Sequence, residues 1–294
     1  AAFLAGVLTH DPGMYPKRLI VDEARQMGIT IAPIDVNASD AVYRVEDHGN
    51  AIRIALATVS GISDGEVQSI IAGRPYIDLN DFVRRSGCST PVTESLILTG
   101  GFDSLHADVN RRDLLLHFSD LQKSPSAAVS GAQMNLGFEP PALISSGLPA
   151  MTASESVKYE IDRLGIDMSR HLIEFYGEFL NAIGAVRSSD LLKQRSQSSV
   201  LVAGIKVAMQ TPPVRSGKRV IFLTLDDGYG CSDSTFFTDV QSEYANVLYS
   251  TSLLLVRGVT RRTGARGISI RATGAWDLRA AYESWSAKQS TLAI

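Results

Sequence analysis

The chain has 294 residues, enough for two or three compact domains that each bury a core. Apolar residues make up 45 % and charged residues 20 %, ordinary values for a soluble globular protein. The net charge of −3 excludes a globally basic nucleic-acid binder, yet positive charge gathers toward the C-terminal end. Between Val200 and Gly274 stand nine Lys and Arg against five Asp and Glu, leaving 19 against 26 elsewhere.

Residues 16–28, "PKRLIVDEARQMG", read as a helix, with Pro16 in the first turn and Gly28 as a stop. "ITIAPIDVN" alternates like a strand that Pro33 restricts to an edge or an end. "VYRVEDHGNAIRIAL" reads as two short strands around an Asp-His-Gly-Asn turn. From 59 to 105 short helices are broken by glycines, and "RRDLLLHFSDLQK" adds another helix. Residues 124–151 are rich in Ser, Pro, Gly and Ala and nearly uncharged, so an extended linker is expected there. "TASESVKYEIDRLG" resumes a helix, with Thr152 and Glu155 at capping-box spacing, and "SRHLIEFYGEFLNAIG" follows as a second. Five β-rich runs then occupy 200–274, with one helical stretch, "DVQSEYANVL", between the third and fourth. That order predicts an OB barrel.

The two cysteines, Cys88 and Cys231, lack any C-x-x-C spacing, so neither a disulfide framework nor a zinc site is expected. No apolar run approaches the ~20 residues needed to cross a bilayer, and no basic-then-apolar leader is present. A cytoplasmic location without a membrane partner follows as an expectation. The chain opens with Ala-Ala-Phe rather than Met, as a piece of a longer protein would.

Asp226 and Asp227 form an adjacent carboxylate pair of the sort that suggests metal-dependent chemistry. Successive side chains on a strand point to opposite faces, and the pair directly precedes Gly228-Tyr229-Gly230, where Asp bonds a turn's own backbone. Turn residues are expected, and no catalytic residue is assigned. The five histidines show no ligand spacing, and neither a Walker loop nor a nucleophile elbow occurs.

The basic loops read differently. Arg215, Lys218 and Arg219 fall between barrel strands one and two, while Arg261, Arg262 and Arg266 fall between strands four and five. In an OB barrel both loops flank the strand 2–3 face. Phe222, Phe236 or Phe237 on that face would stack the bases of a single strand whose backbone the cations follow. Ile221, Leu223 and Leu225 alternate as the inward set, leaving Phe222 outward. A solvated basic rim, or a face that meets another protein, fits the same residues. In "VSGISDGEV", Gly61, Ser63 and Gly65 suit a helix-hairpin-helix whose backbone N–H groups meet a DNA phosphate, though an αα-corner gives the same pattern.

Three segments together carry a resemblance: "PKRLIVDEARQMGITIAPIDVNASD", "VSGISDGEVQSIIAGRPYIDLNDFVRRSG" and "LILTGGFDSL…NRRDLLL". They resemble the C-terminal half of bacterial C-family DNA polymerases, the alpha subunits of DNA polymerase III. "LGIDMSRHLIEFY" and "TPPVRSGKRVIFLTLDDGYGCSDSTFF" look closest to the error-prone, damage-tolerant branch of actinobacterial type. The resemblance implies an α+β chain with the end of a fingers domain at 1–50 and a helix-hairpin-helix region at 51–118. A linker at 119–151, a helical connector at 152–199, an OB domain at 200–275 and a tail at 276–294 complete the expectation. It implies DNA as partner, both single-stranded template and primer-template duplex, together with translesion factors. The catalytic aspartates and Mg2+ would belong to a palm domain upstream, with no cofactor in this chain. Ser63 departs from the family's usual glycine. "QMNLGF" fits a loose Q-x-x-L-x-F clamp-binding pattern, so Gln133, Leu136 and Phe138 are candidate anchors on a sliding clamp. A linker that tethers itself by Met134, Leu136 and Phe138 is the alternative.

Overall fold

A computed structural model describes residues 1–11, 13, 15–123, 142–212, 219–262, 264 and 267–292. The chain divides into two compact units, Ala1–Arg170 and His171–Ile294.

The first unit opens with α1 (Ala2–His10) and α2 (Lys17–Gln26). Three short strands follow: β1 (Thr30–Ala32), β2 (Arg44–Glu46) and β3 (Ala51–Arg53), in the order β1-β3-β2. β1 lies at an edge, where Pro33 withholds no ladder bond, and β2 pairs antiparallel with β3 across the expected turn. The helices α3 (Asp64–Ala72), α4 (Leu79–Ser86), α5 (Thr90–Leu98) and α6 (Arg111–Lys123) form the hairpin region, and α7 (Ala153–Leu164) joins them. Their termini are set by local chemistry. Ser63 and Thr152 both make full capping boxes, Asp78 caps α4 through the Asp81 amide, and Gly87 closes α4 in the left-handed region at φ 65°. At the centre, Phe82 packs edge-on against Tyr76 and Phe102, both at 4.9 Å between ring centroids. All three rings are buried.

The second unit begins with a 3-10 turn (Leu172–Tyr176), α8 (Gly177–Ala182) and α9 (Ser188–Leu191). Its body is a closed barrel of β4 (Ser199–Gln210), β5 (Ile221–Asp226), β6 (Cys231–Phe236), β7 (Leu253–Arg262) and β8 (Ile268–Asp277). The order is β4-β5-β6-β8-β7, with the helix α10 (Thr238–Ser250) between the third and fourth strands. The long β4 pairs with both β5 and β7 and carries an irregularity between Lys206 and Ala208, the bend that closes the wall. A short parallel contact of β6 with β8 completes the circuit. This is the OB fold.

Alternation fixes what fills it. Val200, Val202, Ile221, Leu223, Leu225, Leu254, Val256, Ile270 and Ala272 point inward with Phe236, and Leu248 of α10 joins them. On the outside, Ala203, Ile205, Leu253 and Leu255 are covered by Ile173, Phe179 and Leu278. Leu278 begins α11 (Leu278–Leu292), whose Tyr282 and Trp285 pack on Phe179.

Three expectations change. Phe236 is wholly buried, so it is a core residue and does not contact nucleic acid. Strand β6 places it in register with Ile221, an inward neighbour, and the exposed aromatic is the next residue, Phe237. The boundary between compact units falls within 152–199, because α7 packs in the first unit while α8 and α9 lie in the second. Residues 276–294 begin with the end of β8 and continue as α11, so this segment is structured through Leu292.

Candidate nucleic-acid interface

Phe222 stands outward from the barrel at 45 % exposure, between Ile221 and Leu223, which are both buried. Its cross-strand neighbours are Gln210 on β4 and Thr235 on β6, and Thr235 in turn pairs with Arg271 on β8. One outer row therefore runs from Gln210 through Phe222 and Thr235 to Arg271 and on to Val259. Arg219 is exposed just before β5, and its carbonyl accepts from the Gln241 side chain at 2.8 Å. Arg215, Lys218 and Arg266 lie outside the described residues, as do Gln133, Leu136 and Phe138.

At the far loop, Arg261 and Arg262 end β7 with exposed side chains. The Arg262 guanidinium donates to the Leu192 carbonyl, which ties it to the segment after α9. Arg271 lies over the Phe237 ring, 5.5 Å from its centroid, and reaches Asp239 at 3.4 Å. Sequence alternation marks Arg271 as outward, since it sits between the inward Ile270 and Ala272, but it stands apart from the basic loops.

Asp226 and Asp227 do not fit a magnesium pair. The Asp226 carboxylate is buried, accepts from the Gly228 amide at 3.0 Å and lies 3.3 Å from His171 Nε2. Asp227 accepts from the Tyr229 amide at 3.0 Å and from Ser188 N and Oγ at 2.7 and 2.5 Å. The two carboxylates serve separate partners, each closing a turn with the amide two residues on.

In the hairpin region, Gly61 adopts φ 81° with open space around its Cα, and Gly65 sits exposed in the first turn of α3. The Ser63 amide and hydroxyl both donate to Glu66 Oε2, at 2.9 and 2.7 Å. Glu66 Oε1 accepts from Ser89 N and Oγ, at 2.9 and 2.7 Å. The chain's own carboxylate thus occupies the amide of Ser63 that a phosphate would use. These donors, Ser89 foremost, hold the Glu66 carboxyl down at about 2 from its ordinary 4.5. A lowered folded-state pKa contributes stability above about pH 4.5 and loses it as the pH falls toward about 2. Glu66→Gln is expected to flatten this acid limb, measured as the urea midpoint at a series of pH values between 6 and 3. An unchanged limb would place the acid sensitivity elsewhere.

The chain thus joins a hairpin-bearing helical unit to an OB barrel. A family model described as a helix-hairpin-helix motif matches residues 28–114. The error-prone DNA polymerase of Symbiobacterium thermophilum is 29 % identical over 92 % of this chain and 29 % of its own length. That of Nocardia farcinica is 31 % identical over 88 % of this chain and 23 % of its own. The DNA polymerase III subunit alpha of Vibrio cholerae is 26 % identical over 97 % and 26 %. The chain is homologous to error-prone DNA polymerases and DNA polymerase III alpha subunits along nearly its whole length, and it spans under a third of theirs. Among the described residues no helix is long and apolar enough to cross a membrane.

Proposed function

We propose that this chain is the DNA-handling portion of an error-prone bacterial DNA polymerase, acting in replication and damage tolerance. The observation that carries it is the similarity to error-prone polymerases across about nine-tenths of the chain. In this reading the barrel holds single-stranded template and the helical hairpins hold primer-template duplex. Nucleotidyl transfer and its Mg2+ belong to a palm domain of the longer parent, which is cytoplasmic. Translesion factors are proposed partners, as is a sliding clamp reached through Gln133, Leu136 and Phe138. Residues 1–50 are proposed as the end of a fingers domain and 51–118 as the duplex-binding region.

The barrel's share rests on exposed aromatic and cationic side chains on one wall. Stacking a base on Phe222 is worth ~1–3 kcal/mol, and each phosphate held by a cation steepens the salt dependence. Fluorescence anisotropy of the purified chain with labelled oligo(dT) and with a primer-template tests the reading. Binding to both, weakening as salt rises, is expected. No binding to either at low salt would overturn it. Phe222→Ala is expected to weaken oligo(dT) binding by ~1–3 kcal/mol with the melting temperature unchanged, since the ring is half exposed.

A further inference from the structure

The outer wall of β7 and β8 carries a second aromatic and cationic surface, to which the basic loops contribute Arg261 alone. Outward positions on β7 are Arg257, Val259 and Arg261, and on β8 they include Arg271, Thr273 and Trp276. The lower part of β7's outer wall, Leu253 and Leu255, is packed beneath Ile173, Phe179 and Leu278, and Trp276 stands in register with Leu255 beside that cover. A groove of about 640 Å³ lies there, lined by Phe237, Asp239, Val259, Arg261, Arg271 and Thr273. Binding sites for small organic groups run from about 300 to 1,000 Å³.

Two exposed rings stand on this surface, and each has an arginine over it. Arg271 lies 5.5 Å from the Phe237 centroid, and Arg257 lies 5.4 Å from the Trp276 centroid. Phe237 is 39 % exposed and Trp276 37 %. Trp276 is held in place from two sides. Its ring crosses Gly274 so closely that a Cβ there would come within 2.7 Å, and Tyr244 meets it edge-on at 5.9 Å. A guanidinium stacked on a ring extends the flat surface on which a base can lie and brings a cation to the same point. Along β8, Arg271 and Trp276 are five residues apart, about 17 Å of strand. Among the groove's described lining residues, two arginines stand against one carboxylate, Asp239.

We infer that single-stranded nucleic acid crosses the β6–β8 seam from Phe222 and continues along the β8–β7 wall. Its bases stack at Phe237 and Trp276, and its phosphates meet Arg257, Arg261 and Arg271. The in-register row from Phe222 through Thr235 to Arg271 makes the two surfaces contiguous. This inference rests on the reading of the barrel as a single-strand binder, and it assigns that strand a longer path than the β5–β6 wall.

The test uses the full chain carrying Trp285→Phe, which leaves Trp276 as its only tryptophan. Titration with oligo(dT) is expected to quench its fluorescence, saturating at the same concentration as the anisotropy change. Arg257→Glu with Arg261→Glu is expected to weaken binding at least tenfold. It should also flatten the salt slope by about 1.4, two lost contacts at ~0.7 each for a single strand. Arg257→Lys with Arg261→Lys keeps the charge and is expected to restore the slope, and unchanged melting temperatures separate binding from folding. If the wild type binds oligo(dT), Phe222→Ala weakens it, and neither the slope nor Trp276 fluorescence responds as stated, the extended path is overturned while the single-strand reading stands. If the wild type binds no oligo(dT), both fall together.

Discussion

Phe236→Ala is expected to destabilise the barrel by about 3–5 kcal/mol, enough to lower its melting temperature by on the order of ten degrees or more. The ring is fully buried among Ile221, Leu223, Leu254 and Val256, in a closed wall that cannot collapse onto the space it leaves. Its cross-strand partner is Ile221, so the cavity would open between two inward rows. Phe222→Ala and Phe237→Ala are the controls, since both rings are at least 39 % exposed and should cost little stability. Urea denaturation of the three variants checks the ranking. A Phe236→Ala variant as stable as Phe222→Ala would mean that β6 is turned by one residue, because a one-residue slip exchanges a strand's two faces.

Asp226→Ala is expected to cost about 3 kcal/mol, and Asp227→Ala a similar amount. A charged acceptor contributes more per hydrogen bond than a neutral one, and its loss leaves buried donors short of a partner. Asp226 serves Gly228 and His171, while Asp227 serves Ser188 and Tyr229. Asp226→Asn should recover part of the loss, because an amide oxygen still accepts from the Gly228 amide. Asp239→Ala, a half-exposed carboxylate beside Arg271, should change stability little. Differential scanning fluorimetry with and without added magnesium separates structure from metal binding. No magnesium-dependent rise in melting temperature is expected in the wild type. A rise that disappears in both alanine variants would show the pair to be a metal site.

The sequence by itself determined the local pieces and their order. Strict alternation of Ile221, Leu223 and Leu225 predicts Phe222 outward, and burial of those three agrees. Thr152 with Glu155 specifies a helix start that the capping box realises, and five strands with one helix after the third specify the barrel. These signals lie within a few residues of one another, where backbone geometry and side-chain period decide. The position of Asp226 and Asp227 before a glycine turn likewise marks them as turn residues without knowledge of their partners.

Only the tertiary structure decided matters that depend on residues far apart in the chain. Phe236 and Phe237 are adjacent and chemically identical, and closure of β6 between β5 and β8 puts one in the core and the other in the groove. Glu66 closes the local capping box of Ser63 with one oxygen, and the tertiary structure brings Ser89, 23 positions later, to the other. Arg257 and Trp276 gain their pairing from the antiparallel contact of β7 with β8, and Arg271 meets Phe237 across 34 residues of sequence. Long-range pairing carries no local signature, because it costs loop-closure entropy that the packed barrel alone offsets. The surface that gathers charge and aromatic rings is therefore a property of the closed barrel, whereas the rings and charges themselves are properties of the sequence.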